Sequence, residues 1–330
     1  MSEYTATRSG APAATAATPT TKRRLRIPDV AALVVFLGLE VLVFSLSSPY
    51  FFSWDNFVNI FSALAVTGTV AAGATILLIS GQVDLSVGSG VAWVGLVFAL
   101  TQPTIGTALA VPLAVLAGLG VGLLNGLIVT VVGVNALITT LGTLAIFRGL
   151  TISVGEGQSI GVSGFDWALI RPVANVPLPV IVVVVVLVGV GLLLQNTIYG
   201  RSIYAIGANP DAARLVGLPT RRNVFVAFLI SGLCMAMAGL TSASQLGATS
   251  GTTGVGLELA AITAVILGGT SLSGGVGSVG GTVVGLLIVA VLGNGLTLMR
   301  IDSSWQQVAT GALLILAVSF DRLRARMAER

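Results

Sequence analysis

Apolar residues along this chain come in long unbroken runs, separated by short polar or glycine-rich interruptions. The runs fall at about 29–48, 57–80, 86–101, 107–131 and 136–153, then at 178–195, 223–245, 258–270, 280–298 and 305–320. A helix needs about 20 largely apolar residues to cross a bilayer, so the pattern predicts an all-α polytopic transmembrane bundle of about ten spans. Two runs, 86–101 and 258–270, are short and glycine-flanked. Each is a candidate half of a broken helix.

The flanks divide the chain. Residues 1–27 are rich in Ala, Thr, Ser and Pro and end on Lys22, Arg23, Arg24 and Arg26, which reads as a disordered basic tail. The first apolar run is long and has no convincing cleavage site, so it reads as a retained span. Residues 28–324 form the transmembrane domain and 325–330 a short second tail.

Composition agrees and removes much chemistry. Charged residues make up 8% of the chain, against about 25% in an average soluble domain, and mean hydropathy is +1.01. Without histidine there is no Ser-His-Asp triad and no His-based metal site. The single cysteine, Cys234, allows no internal disulfide and reads as a small apolar filler. No metal site is expected. No GxxxxGK[ST] occurs, so there is no P-loop. Gly275, Gly277 and Gly280 satisfy GxGxxG, but they sit between apolar spans without the βαβ context that a dinucleotide site requires.

The net charge of +4 matters through its placement. With the N-terminus inside, ten spans put both termini in the cytoplasm. Thirteen basic residues then lie inside: Arg8, Lys22, Arg23, Arg24, Arg26, Arg201, Arg214, Arg221, Arg222, Arg322, Arg324, Arg326 and Arg330. Only Arg148, Arg171 and Arg300 fall on or near the outside. That bias follows the positive-inside rule and argues against reading the basic excess as a nucleic-acid surface. The inner loop 196–222 is polar and basic, with Asn209 as a helix cap, Pro210 at a first helical position, and Gly217 and Pro219 as a stop. A short helix on the cytoplasmic face is expected there.

Acids in or beside apolar runs are costly and therefore informative. Glu40 lies mid-span and must face a partner helix or stay protonated; structural and pathway roles are equally open. Asp84 sits in SGQVDLSVGSG, either capping the third span or fixing an irregular stretch beside a translocation path. Glu258 opens the eighth span, which runs into LGGTSLSGGVGSVGG at 267–281. The two glycine-rich breaks look comparably placed, and Asn-Gly-Leu follows each, at Asn125 and Asn294. Spans two to five start outside and seven to ten inside, the arrangement of an inverted repeat.

Four strings resemble the membrane permease subunit of bacterial ABC importers for monosaccharides, of the ribose, xylose, arabinose and galactoside type. SGQVDLSVGS is similar to that family's GGIDLSVGS, departing at Ser80 and Gln82. TIYGRSIYAIGANPDAARLVGL, LELAAITAVILGGTSLSGGVGSVGGTVVG and SSWQQVATGALLILAVSFDRLR follow its later pattern. The resemblance spans about residues 30–324. It implies a pair of permeases (two copies, or a copy and a paralogue), cytoplasmic ATPases that bind ATP and Mg, and an extracytoplasmic sugar-binding protein. It places the chain in the bacterial plasma membrane, in contact with lipid and sugar, with no cofactor of its own.

The resemblance also implies that loop 196–222 is the coupling element, through Gly200, Arg201, Asn209, Ala212, Ala213, Arg214 and Gly217. Small Ala212 and Ala213 would permit close docking, and Arg201 and Arg214 would pair with acids. No catalytic residue is expected. Neutral sugars call for weak hydrogen-bonding groups, and the path or helix-break candidates are Asp84, Ser86, Gly88, Asn125, Asn135, Glu258, Ser271, Ser273, Gly274, Gly275 and Asn294, with Thr139 and Thr140 beside them. Two rival readings remain, an ion-coupled secondary transporter and an intramembrane enzyme; the sparse, scattered acids suit the second poorly.

Overall fold

The computed structural model describes residues 29–172 and 175–328. The basic tail expected over 1–27 lies outside the described residues. All ten apolar runs become helices: α1 (Asp29–Ser47), α2 (Trp54–Ile79), α3 (Val87–Ile105), α4 (Thr107–Leu127, continued by a π turn to Val132), α5 (Ala136–Val154), α6 (Leu178–Asn196), α9 (Thr220–Leu246), α10 (Leu257–Leu267), α11 (Val279–Leu298) and α12 (Ser303–Ala328). Loop 196–222 holds two helices rather than the one expected, α7 (Ile198–Ala208) and α8 (Pro210–Leu215). The helix α12 continues through Ala328, across most of the stretch expected as a second tail.

Seven helices are long and apolar enough to cross a membrane: α2, α3, α4 with its π turn, α5, α6, α9 and α11. The run at 86–101 is therefore a full-length helix. The run at 258–270 is not. At 11 residues, α10 spans about 16 Å, half a bilayer core.

The centre of the bundle is α2 and α9, whose apolar windows are 78% and 67% buried. Small residues bring their neighbours close, as lateral packing in lipid demands. Gly73 of α2 lies against the Ser231 backbone of α9, and Gly122 of α4 against Gly232. A two-fold order appears around this pair. Helix α3 packs on α4 and α5 as α10 packs on α11 and α12, and α4 crosses α9 where α11 crosses α2. Helices 2–5 thus repeat as 9–12.

The repeat corrects the pairing of the breaks. Segment 268–278 does not match 80–86: Gly275 N donates to Ile79 O at 2.8 Å, so both lie at one end of the bundle. An inverting axis sends matching elements to opposite ends. The counterpart of 80–86 is the segment before α10, residues 247–256. Both re-enter the bundle. Asp84 reaches Ser231, about 16 Å along α9 from its start. Residues 249–254 in turn run along α3, with Thr249 against Gly95 and Gly254 against Gly88.

At the far end, residues 155–172 pack against α3 and the second re-entrant segment. A two-residue antiparallel ladder joins Ile160 to Thr249 and Gly161 to Ala248. Phe165 packs on Phe98, while Gln102 Nε2 donates to Ser163 O at 2.8 Å.

Candidate functional site

Helix α2 stops at Ser80, and Gly81 turns the chain back with φ +77°. The returning strand needs partners for its polar groups inside an apolar bundle, and Asp84 supplies them. Its Oδ1 accepts from Ser86 N at 2.9 Å and Ser86 Oγ at 2.6 Å, and its Oδ2 accepts from Ser231 Oγ at 3.2 Å. Asn125 Nδ2 donates to Ser86 Oγ at 2.8 Å, and Asn125 Oδ1 accepts from Thr143 Oγ1 at 2.8 Å. The chain α3–α9–α4–α5 is thereby tied by five buried groups. Asp84 is 3% exposed and Ser86 and Asn125 are fully enclosed, so they anchor the break.

The second re-entrant segment is held differently. Arg148 on α5 donates through one nitrogen to Gly251 O at 2.6 Å and Thr253 O at 2.7 Å. Glu258, at the start of α10, accepts from Gly256 N at 3.3 Å and lies within electrostatic reach of Arg148. Its Oε2 is buried without a partner among the described residues. Gly88 is the crossing point of the two segments. A Cβ there would fall on the Gly254 carbonyl and the Glu258 carboxylate, so only glycine fits. Arg148, which the charge count placed on or near the outside, is a structural tie within α5.

The remaining path candidates separate. Asn135 is exposed and caps α5 through Leu137 N at 2.9 Å. Ser271 is half-buried, and its Oγ accepts from Ser273 N at 3.2 Å; Ser273 is exposed. Gly274 and Gly275 lie against Gly207 and Ala208 at the end of α7. Tyr204 Oη donates to Gly277 O at 2.8 Å. Burial raises the Tyr204 phenol above its ordinary value, which keeps that donor protonated. A Cβ on Gly207 would overlap the Ile79 carbonyl. Helix α7 thus touches the end of α2 and the 274–277 turn that leads into α11. Asn294 pairs reciprocally with Asn56, at 2.9 and 3.0 Å, beside a cavity between α2, α11 and α12. Glu40 on α1 is half-buried, with one oxygen lacking a partner among the described residues.

The loop helices revise the expected coupling residues. Asn209 caps α8 as predicted, accepting from Asp211 N at 3.1 Å and Ala212 N at 2.9 Å. Gly217 ends it at φ +81°. Gly200 is buried against the last carbonyls of α6, and Ala213, 3% exposed, faces inward rather than toward a partner. Arg201, Ala212 and Arg214 are exposed, with Arg214 3.3 Å from Asp211. Leu215 and Val216, absent from the residues expected to couple, are 89% and 77% exposed at the tip. The signal was present: an apolar pair beside a stop glycine in an otherwise basic loop. Ser231 and Thr143 had no such signal, because a lone hydroxyl in an apolar helix usually bonds its own backbone.

Among the described residues no group of three or more His, Cys, Asp or Glu side chains stands together to hold a metal. Residues 56–318 match the family described as branched-chain amino acid transport system / permease component. The chain belongs to this permease family. The permease is 36% identical to the D-allose transport system permease protein AlsC of Escherichia coli over 292 residues, 87% of this chain and 90% of the relative. It is 34% identical to the L-arabinose transport system permease protein AraH of Escherichia coli over 308 residues, 91% and 93% of the two chains. It is 35% identical to the ribose import permease protein RbsC of Bacillus subtilis over 297 residues, 88% and 92%. No solved structure matches it. With seven apolar spanning helices, the permease is a multi-pass protein of the cytoplasmic membrane.

Proposed function

We propose that this permease is the membrane path of an ATP-driven importer that moves a monosaccharide by alternating access. Two permeases form the path, a binding protein delivers the sugar from outside, and cytoplasmic ATPases hold the ATP and Mg. The chain itself breaks no bond and carries no nucleotide site. An arrangement with both termini inside fits the distribution of arginine and lysine. The sugar class rests on the allose, arabinose and ribose permeases to which the chain is similar.

One observation carries the coupling assignment: α8 presents an exposed apolar tip, and α7 behind it is packed onto both Ile79 and the 274–277 turn. A push on Leu215 and Val216 reaches the end of α2 and the turn leading into α11 through close backbone contacts. Arg201 and Arg214 flank that surface and suit acids on an ATPase.

The test is the double substitution Leu215→Asp, Val216→Asp in the reconstituted permease–ATPase complex. Hydrolysis stimulated by the loaded binding protein falls about tenfold or more, as expected when charge replaces an apolar contact, while the complex's folded fraction is unchanged. Undiminished stimulation would reject the docking surface. Ala213 is the wrong position for this test, because a bulky residue there would disturb the permease itself.

A further inference from the structure

The cavity between α2, α11 and α12 has a volume of about 380 Å³ and five polar side chains on its walls, Asn59, Thr67, Asn294, Thr297 and Gln306. Asn59 and Thr67 lie on the same stripe of α2, eight residues apart, and neither side chain has a hydrogen-bond partner among the described residues. Polar side chains within a membrane bundle face its interior or a watery cavity, because lipid offers them no partner. All five are neutral.

Two features hold the wall in shape. Asn56 locks Asn294 through the reciprocal amide pair, and Gln306 Nε2 donates to Thr297 Oγ1 at 3.0 Å. Leu64, Leu286 and Val289 supply an apolar strip beside them. The cavity lies near the start of α2 and the α11–α12 turn, the end away from α7 and α8. By the charge distribution that end is external.

We infer that this cavity is the external sugar subsite of the path, in which Asn59, Thr67 and Gln306 bond ring hydroxyls and Leu64 and Leu286 take a C–H face. An amide offers both donor and acceptor, as a hydroxyl requires. With no charge to hold the ligand, release stays fast. The volume lies within the range of about 300–1,000 Å³ of small-molecule sites. This rests on the import reading above, and the experiment keeps the two apart.

In proteoliposomes holding the full complex, uptake of D-ribose, D-allose and L-arabinose is measured with the binding protein present, alongside ATP hydrolysis. Wild-type uptake of at least one of them is the control; no uptake at all would sink the import reading itself. Asn59→Leu, on an exposed position that folding does not need, lowers sugar moved per ATP hydrolysed about tenfold, one lost hydrogen bond. Stimulated hydrolysis stays normal, and Asn59→Ser restores part of the uptake. Wild-type sugar-to-ATP coupling in Asn59→Leu would overturn the subsite. A second readout uses Asn59→Cys, since native Cys234 is only 4% exposed. A charged maleimide added outside labels it, and sugar turnover slows the labelling. Labelling by a lipid-soluble reagent alone, or by neither, would mean that lipid or a second copy fills the cavity and would overturn the proposal.

Discussion

The two re-entrant segments occupy equivalent places in the repeat, yet they are built by opposite means. Segment 80–86 is fixed by side chains, with Asp84, Ser86, Ser231, Asn125 and Thr143 joined in one buried network. Segment 247–256 depends on backbone. Gly247, Gly254 and Gly256 have positive φ, and two carbonyls hang on the single nitrogen of Arg148. The first arrangement has redundancy, since every member but Ser231 has a second hydrogen-bond partner. The second has one side-chain tie to its neighbours, Arg148, beside its short backbone ladder to 160–161, and a carboxylate oxygen of Glu258 next to it has no partner among the described residues. One topology therefore accommodates a stiff arm and a compliant arm, and the compliant arm opens the half-length helix α10.

The largest effect comes where the arms meet. Gly88→Val places carbon on the Glu258 carboxylate and on the Gly254 carbonyl, and the second is backbone that cannot swing aside. Overpacking of this kind costs about 3 kcal/mol or more. Both arms should fail together, seen as lost monodisperse protein and a lowered unfolding temperature in detergent. Normal stability would mean that the crossing is looser than the packing implies.

How much of this was legible beforehand depended on the type of signal. Every apolar run became a helix, because burial in lipid is decided by composition over about 20 residues, which the chain displays directly. The α8 cap at Asn209 and its stop at Gly217 were legible for a local reason, since those geometries involve only neighbouring residues. The match between 80–86 and 247–256 was not. Both contain glycine, but so does 268–278, and only through-space contacts such as Gly275 N to Ile79 O show which pair shares an end. The partners of Ser86 and Asn125 were hidden for a related reason. A polar residue in an apolar run signals a partner, and nothing in the chain says whether that partner is a ligand or another helix. Ala213 misled similarly, because smallness permits close approach to the chain's own core as well as to an ATPase.

The next effect separates the arms. Asp84→Ala removes acceptors for one backbone N–H and two hydroxyls in a fully buried place. Each stranded donor costs about 1–3 kcal/mol, reduced where a hydroxyl turns to a backbone carbonyl, so about 2–4 kcal/mol in total is expected. Asp84→Asn keeps one oxygen for Ser86 and should lose about 1 kcal/mol. Thermal unfolding and uptake check both variants. Equal, wild-type behaviour of the two would show that Asp84 does not organise the break.

The smallest effect is the most local. Arg148→Gln leaves the bundle folded, because α5 keeps its apolar contacts, but frees the carbonyls of Gly251 and Thr253. Hydrogen bonds to a charged group are worth about 1.5–3 kcal/mol each, so amide exchange across 247–256 should quicken by about tenfold or more. Exchange across 80–88 should stay at the wild-type rate, since none of its bonds reaches Arg148. Both bonds leave one nitrogen, so an ammonium with several donors can reproduce them. Arg148→Lys should therefore recover part of the protection, whereas Gln, without charge, should not. If the first arm loosened as much as the second, the two would be one cooperative unit, and the contrast between a stiff and a compliant arm would fall.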